Sequence, residues 1–347
     1  MTTLRLPGPT QLRIALALLT LALPARAAET DQYYSWFVRV PDGTAAIDRY
    51  VNDGFARALD EVNRSGHTDR PCGEVAKRLM GEQWRAAVWH VIGATRDWGY
   101  PFRPATRTEF EERYSPVSLY RYFGLLPFGI FVPIDPTVYA AGIYFGPDKL
   151  GHFFDNGQRY WDEYQTARAR GASVDEAERA AVMVGVAQED GILGGIVTST
   201  FGYGDLEANF QGMLLIRSMC EGDEPSLRRG EDGQWALREP FAIRRFANPC
   251  WDESFYPNAY EGLTAEGVKR ALKGYCPLRH RPDIAALRAR YRALGCHSRS
   301  VQILDELIEK GSVPDPRPFT LESACGDPPA RPRPAQIAAP SGSAQGR

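Results

Sequence analysis

The sequence has no G-x-S-x-G elbow, no H-E-x-x-H pair and no G-x-x-x-x-G-K-[ST] loop, so it carries no ready signature of a serine hydrolase, a zinc peptidase or a P-loop enzyme. It also lacks any C-x-x-C pair, and His297 directly after Cys296 is poor ligand spacing, which argues against structural zinc. Surplus positive charge is missing too. The formal charge is −2, and it falls further once the first residues are removed, so a nucleic-acid partner is not expected. No other stretch approaches a membrane span. The apolar run from Ile14 to Leu23 has ten residues, about half of the ~20 needed to cross a bilayer.

What the amino terminus does have is the layout of a secretory signal. Arg5 and Arg13 precede the apolar run, no acid occurs there, and Ala25-Arg26-Ala27 supplies small residues for a peptidase. Cleavage before Ala28 is expected, with no cysteine placed to take a lipid. The mature chain then has 38 Lys and Arg against 43 Asp and Glu, and it is destined for the periplasm or the exterior. All six cysteines (Cys72, Cys220, Cys250, Cys276, Cys296 and Cys325) lie in that part. In an oxidising compartment they predict up to three disulfides, whose pairing the spacing does not choose.

Helical periodicity dominates the remainder. Ile47, Val51, Phe55, Leu59 and Val62 predict a helix ending at Gly66, and Val75, Leu79, Trp84, Val88 and Ile92 predict one from Cys72 to about 96. Residues 115–147 are aromatic and broken by five prolines, so they cannot form one helix. They are expected to be a buried connector, or else an apolar lip that touches lipid or covers a cleft. Asp148 then opens a helix closed by Gly171. Ser173 with Glu176 forms a capping box for a helix reaching about 198, and Asp205 takes the N-cap position of a third.

These three segments concentrate ionisable groups in apolar surroundings. Asp148 and His152 are four residues apart and share a helix face, as do Asp205 and Asn209, while Glu189 falls in the middle of the most apolar helix. A buried carboxylate needs partners, and Lys149, His152 and Asn209 are the natural ones. The bland alternatives are that Asp148 and Asp205 cap helices, that His152 is a satisfied core histidine, and that Asn209 braces a turn.

The order D-K-x-x-H-F, an acid in the next helix, then D-x-x-A-N-x-x-G resembles the VanZ-like superfamily and the related YfiM-type envelope lipoproteins. Asp148, Lys149, His152, Phe153, Glu189, Asp205, Leu206, Ala208, Asn209 and Gly212 carry the resemblance, across about 65 of 347 residues. It implies a helical polar core and a place in the cell envelope. VanZ-like proteins are membrane proteins, whereas Arg159, Asp162, Glu163, Arg168 and Arg170 give these helices too much charge for a bilayer span.

Three functions fit this pattern. The first is a non-enzymatic envelope protein with a structural polar network that binds an envelope partner or a membrane surface. The second is a hydrolase of an envelope lipid or glycan, with Glu189 as general acid or base, His152 as proton shuttle, and Asp148 or Asp205 orienting it. The third is a divalent-metal site made by Asp148, His152, Glu189 and Asp205, suited to an ion harder than zinc. The first is the expectation. No cofactor is assigned by any motif.

Past Cys220, residues 221–235 are a polar, glycine-bearing link. Residues 246–262 form an irregular segment in which Trp251, Phe255, Tyr256 and Tyr260 plug a core and Asp252 and Glu253 are turn acids. Helices are predicted from Thr264 to about Lys273, from Asp283 to about Leu294 with its basic residues facing out, and from Ser300 to Glu309. The expected architecture is mainly α: a signal peptide (1–27), a helical core with the polar cluster (28–221), a smaller disulfide-stapled helical region (222–325) and a disordered tail (326–347).

Overall fold

The computed structural model describes residues 29–30, 32–37, 39–66, 69–93, 118–119, 134–135, 137–190 and 199–326, with backbone only at 29–30, 34, 84–93 and 134–135. The expected signal peptide, most of the aromatic connector, residues 191–198 at the end of the helix expected from Ser173, and all but the first residue of the tail lie outside the described residues.

The protein is mainly α-helical. Helix α1 (Thr44–Arg64) turns Ile47, Val51, Phe55, Ala58 and Val62 inward, as its periodicity requires, and packs along α2 (Cys72–Gly93). The Asp148 helix is not continuous. A short α3 (Pro147–Gly151) passes into a π-helical turn at His152–Asn156 and then into α4 (Gly157–Ala169). Gly171, at φ +90°, ends the run. Ser173 then caps α5 (Val174–Glu189): its hydroxyl accepts the Glu176 N–H, and the Glu176 side chain accepts the Ser173 N–H.

Helix α6 (Tyr203–Cys220) is the centre of the molecule. Thirteen of its eighteen residues are buried, and α2, α4, α5 and the π turn pack around it. A helix surrounded on all sides must be apolar all round, which its sequence largely is. Its closest neighbour is the π turn. A Cβ on Gly212 would lie 1.9 Å from the Phe153 carbonyl oxygen, and one on Gly157 would lie 2.8 Å from Gly212 Cα. These two glycines let the backbone carrying His152 press against the helix carrying Asn209.

Strands are short. In the part of the connector that is described, β3 (Val138–Ala140) and β4 (Ile143–Phe145) form a hairpin whose turn residues Ala141 and Gly142 both have positive φ. The expected polar link also contains a hairpin, β6 (Leu227–Arg229) with β7 (Trp235–Leu237). Strand β1 (Glu29–Thr30) pairs with β2 (Ile134–Asp135), and β5 (Thr200–Phe201) with β8 (Ala259–Tyr260). The later helices are α7 (Gly262–Lys273), α8 (Pro282–Leu294), α9 (Arg299–Glu309) and α10 (Leu321–Ala324). Arg288 breaks the expected outward orientation of the basic residues of α8. It is buried, donates to the Ser254 carbonyl oxygen at 3.1 Å, and pairs with Glu322.

All six cysteines are paired: Cys72–Cys220, Cys250–Cys296 and Cys276–Cys325, spanning 148, 46 and 49 residues. Loops of these lengths correspond to about 4–5 kcal/mol each of chain entropy removed from the unfolded state. The first bridge joins the start of α2 to the end of α6. The other two fasten the later helices, whose apolar residues (Val268, Leu272, Ile303, Leu304) belong to the same core as those of α1 and α6.

Candidate functional site

Lys149 is the keystone of the polar cluster. Pro147 at the first position of α3 fixes the start of the helix, and the first turn directs Lys149 inward until none of its side chain is exposed. The ammonium lies 2.7 Å from Asp148 Oδ2, 2.6 Å from Asp205 Oδ1 and 2.6 Å from Glu253 Oε1. Three donors thus meet three carboxylates. Burial alone would lower the Lys149 pKa, but these three charges outweigh it and hold the pKa well above the ordinary lysine value.

Glu253 is the member that the sequence pattern did not reveal. It and Asp252 were expected to be turn acids, but both are buried. Asp252 does make a local turn, accepting from Ser254 N at 2.9 Å and Ser254 Oγ at 2.6 Å. Glu253 instead reaches across to Lys149. The available signal was two acids inside an aromatic run beside a cysteine, where burial should have been inferred. Burial pushes the Glu253 carboxyl up to about 7, against the pull of Lys149.

Asp205 is not an N-cap. Gly202 holds that position, and Asp205 is the third residue of α6. Asp148 likewise lies one residue inside α3, where Gly146 is the N-cap, and its carboxylate is used on Lys149. Burial pushes Asp205 up, but His152 and Lys149 reverse this and leave its carboxyl below the ordinary range. Glu189 is also displaced from its expected place. It ends α5 rather than occupying the middle of a helix, and its Oε2 accepts the Gly202 N–H at 3.0 Å. Lys149 is therefore not its direct partner. Burial, with the nearby charge of Asp205, pushes Glu189 up to about 7.

Glu189 and Asp205 converge at Gly202. A Cβ there would lie 2.2 Å from Asp205 Oδ2 and 3.2 Å from Glu189 Oε2, so only glycine leaves room for both carboxyls. His152 sits on the solvent side of Asp205, with Nε2 3.6 Å from Asp205 Oδ1. Its Nδ1 lies 3.0 Å from Asn209 Oδ1 and 3.1 Å from Asn156 Nδ2. A protonated Nδ1 donates to Asn209, whereas an unprotonated one accepts from Asn156. The imidazole thus has a partner in either tautomer. A π-helical turn is a frequent feature of functional sites, and here it carries His152 and Asn156 together.

The cluster has a floor and a rim. Lys149 and Glu253 are 0 % and 4 % exposed, whereas the Asp148, His152 and Asp205 side chains are 20 %, 25 % and 16 % exposed. One ligand atom from each of the three rim residues falls within 4.8 Å of the others, a spacing able to hold a metal ion. Glu189 is not part of that set. The Lys149 ammonium already contacts two of its members, and its positive charge opposes a second cation there. Among the described residues no helix is long and apolar enough to cross a membrane. No protein-family model, curated protein or solved structure matches the chain.

Proposed function

We propose that the chain is an exported cell-envelope protein and that the rim of the Lys149 cluster, together with the adjoining Glu189, is an acid–base centre, with the floor serving as its structural support. The observation that carries this reading is the meeting of two carboxyls, Glu189 and Asp205, at Gly202 with His152 beside Asp205. Where Glu189 and Asp205 meet at Gly202, one is pushed up to about 7 and the other lies below the ordinary range. Two adjacent acids whose surroundings push their pKa values apart are the arrangement that general acid–base chemistry uses. Glu189 gives or takes the proton, Asp205 stays ionised, and His152 relays it to the solvent side. Asn209, Asn156 and Lys149 position these groups. The class of reaction served is hydrolysis of an envelope lipid or glycan. The VanZ-like pattern and three disulfides in one chain support the envelope setting.

A second reading is a purely structural network, which the complete burial of Lys149 against Glu253 favours. Glu189→Gln separates the two. The purified protein and this variant are incubated with envelope lipid and glycan extracts, and products are sought by mass spectrometry beside melting curves with and without divalent ions. The acid–base centre predicts products lost in Glu189→Gln with its melting temperature kept or raised. Products made equally by Glu189→Gln, or a variant whose biological role declines only in step with stability, would return the cluster to the structural reading. Stabilisation by divalent ions would assign the rim to metal instead.

A further inference from the structure

Charge is distributed unevenly along this acidic chain. Residues 262–299 contain nine Lys and Arg against two acids, Glu266 and Asp283, and an excess of positive charge remains after Arg288 pairs with Glu322 and Arg299 with Glu306, although the chain as a whole is net negative. The segment comprises α7, the corner after it, and α8. On α7, residues 264, 265, 267, 268, 271 and 272 are buried, leaving Leu263, Glu266, Arg270 and Lys273 on the solvent face at helical spacing. That face begins with Leu263, 91 % exposed, and ends in the basic corner containing Arg279 and His280. At the corner Phe37, 42 % exposed, packs 6.0 Å from the buried ring of Tyr275, and Arg281 Nη1 donates to the Trp36 carbonyl oxygen at 2.7 Å. Phe37 is thereby fixed beside the basic residues. Leu263 and Phe37 are thus two of the few large apolar side chains exposed among the described residues, and both adjoin the one strongly basic segment.

We infer that the outer face of α7, together with the Phe37 corner, docks on an anionic lipid bilayer surface. Basic side chains flanked by protruding apolar ones match the headgroup region, where Lys and Arg are drawn to lipid phosphate and Leu and Phe enter the boundary of the acyl chains. A flat surface also suits the charge distribution. It can meet this corner alone, whereas a flexible polyanion would also meet the acidic remainder of the protein and would gain nothing from the exposed leucine and phenylalanine. The inference is independent of the acid–base reading, since it uses none of the cluster residues.

The test is co-sedimentation of the full disulfide-bonded chain with vesicles of phosphatidylglycerol and phosphatidylcholine, compared with phosphatidylcholine alone. Binding is expected only to the anionic vesicles and should weaken as salt is added. Arg270→Glu combined with Lys273→Glu should lower the partition coefficient by about fivefold or more for each charge. Leu263→Ser, at a fully solvated position, should lower it as well while leaving the salt dependence unchanged. Equal binding to neutral vesicles, no binding to either, an unaltered partition in all these variants, or displacement from vesicles by an RNA oligonucleotide would each overturn the inference. Far-ultraviolet circular dichroism confirms that the variants compared are folded.

Discussion

Asp205 and Glu207 stand two residues apart on α6, and each is the acid around which a polar cluster forms, yet the clusters are built differently. Glu207 is 1 % exposed and is met by neutral donors: Gln211 Nε2 at 2.8 Å, Asn248 Nδ2 at 2.8 Å and Ser298 Oγ at 2.5 Å. Ser298 also caps α9, accepting the Val301 N–H at 3.2 Å, so one carboxylate fixes α6, the 248 loop and the entry to α9. Asp205 instead shares a single ammonium with two other acids, faces His152, and lies beside the carboxyl of Glu189. A clamp needs only to satisfy the acid it holds. Four acids crowded near one lysine with an edge open to solvent exceed that need, and that excess is what the proposed acid–base centre would use.

The comparison can be broken most forcefully at Lys149. Lys149→Met leaves three acids without their cation and should cost about 3–5 kcal/mol in urea unfolding, as loss of one partner from a buried ionic group does. A cost below about 1 kcal/mol would show that the acids simply take up protons and that Lys149 is no keystone.

Glu207→Ala comes next. It leaves the buried amide of Asn248 and the hydroxyl of Ser298 without their acceptor, for an expected loss of about 2–3 kcal/mol. Any envelope function should fall only as far as stability does. Glu207→Gln, which preserves shape, should cost less. A Glu207 variant that keeps full stability but loses function would make the two clusters alike.

The dependence on pH should be smaller and has a definite sign. Glu189 and Glu253 are held up to about 7 from an ordinary 4.5. Between these values the folded protein binds more protons than the unfolded chain. Their contribution is therefore complete below pH 4.5 and is lost as pH rises through 7. Asp205, displaced downward, contributes the opposite slope: its stabilisation is present above its ordinary 3.8 and disappears as pH falls through its lower folded value. Melting temperature should thus decline from pH 4.5 towards 7, and a rise over that interval would contradict the crowded-acid picture. The smallest effect is expected of Glu189→Gln, which should flatten part of this decline while leaving the protein folded. An unchanged slope would place the titrating protons on Glu253 and on Asp252, which burial raises to about 6.

Several features were legible because they depend on neighbours in sequence. The face of α1, the Ser173–Glu176 capping box, the stop at Gly171 and the mainly helical character follow from local spacing. Asp148 with His152, and Asp205 with Asn209, were also readable as same-face pairs from their i, i+4 positions. Glu253 was not, because Lys149 and Glu253 are 104 residues apart and no periodicity joins a helix start to an irregular loop. Glu189 was assigned to the wrong place in its helix because its apolar surroundings look alike on either side of the true end. Arg288 was assigned to the surface because its partners, Ser254 and Glu322, come from other segments.

Composition and short-range spacing are enough to make the chain mainly helical, net negative and rich enough in cysteine to be cross-linked, since they act through the local backbone and the solvent. Tertiary structure alone decided which cysteines pair and which acids share Lys149. It also brought the Glu189 and Asp205 carboxyls together at Gly202. Those outcomes depend on distances of a few ångströms between segments remote in sequence, and on how much water each group retains once the helices close around it.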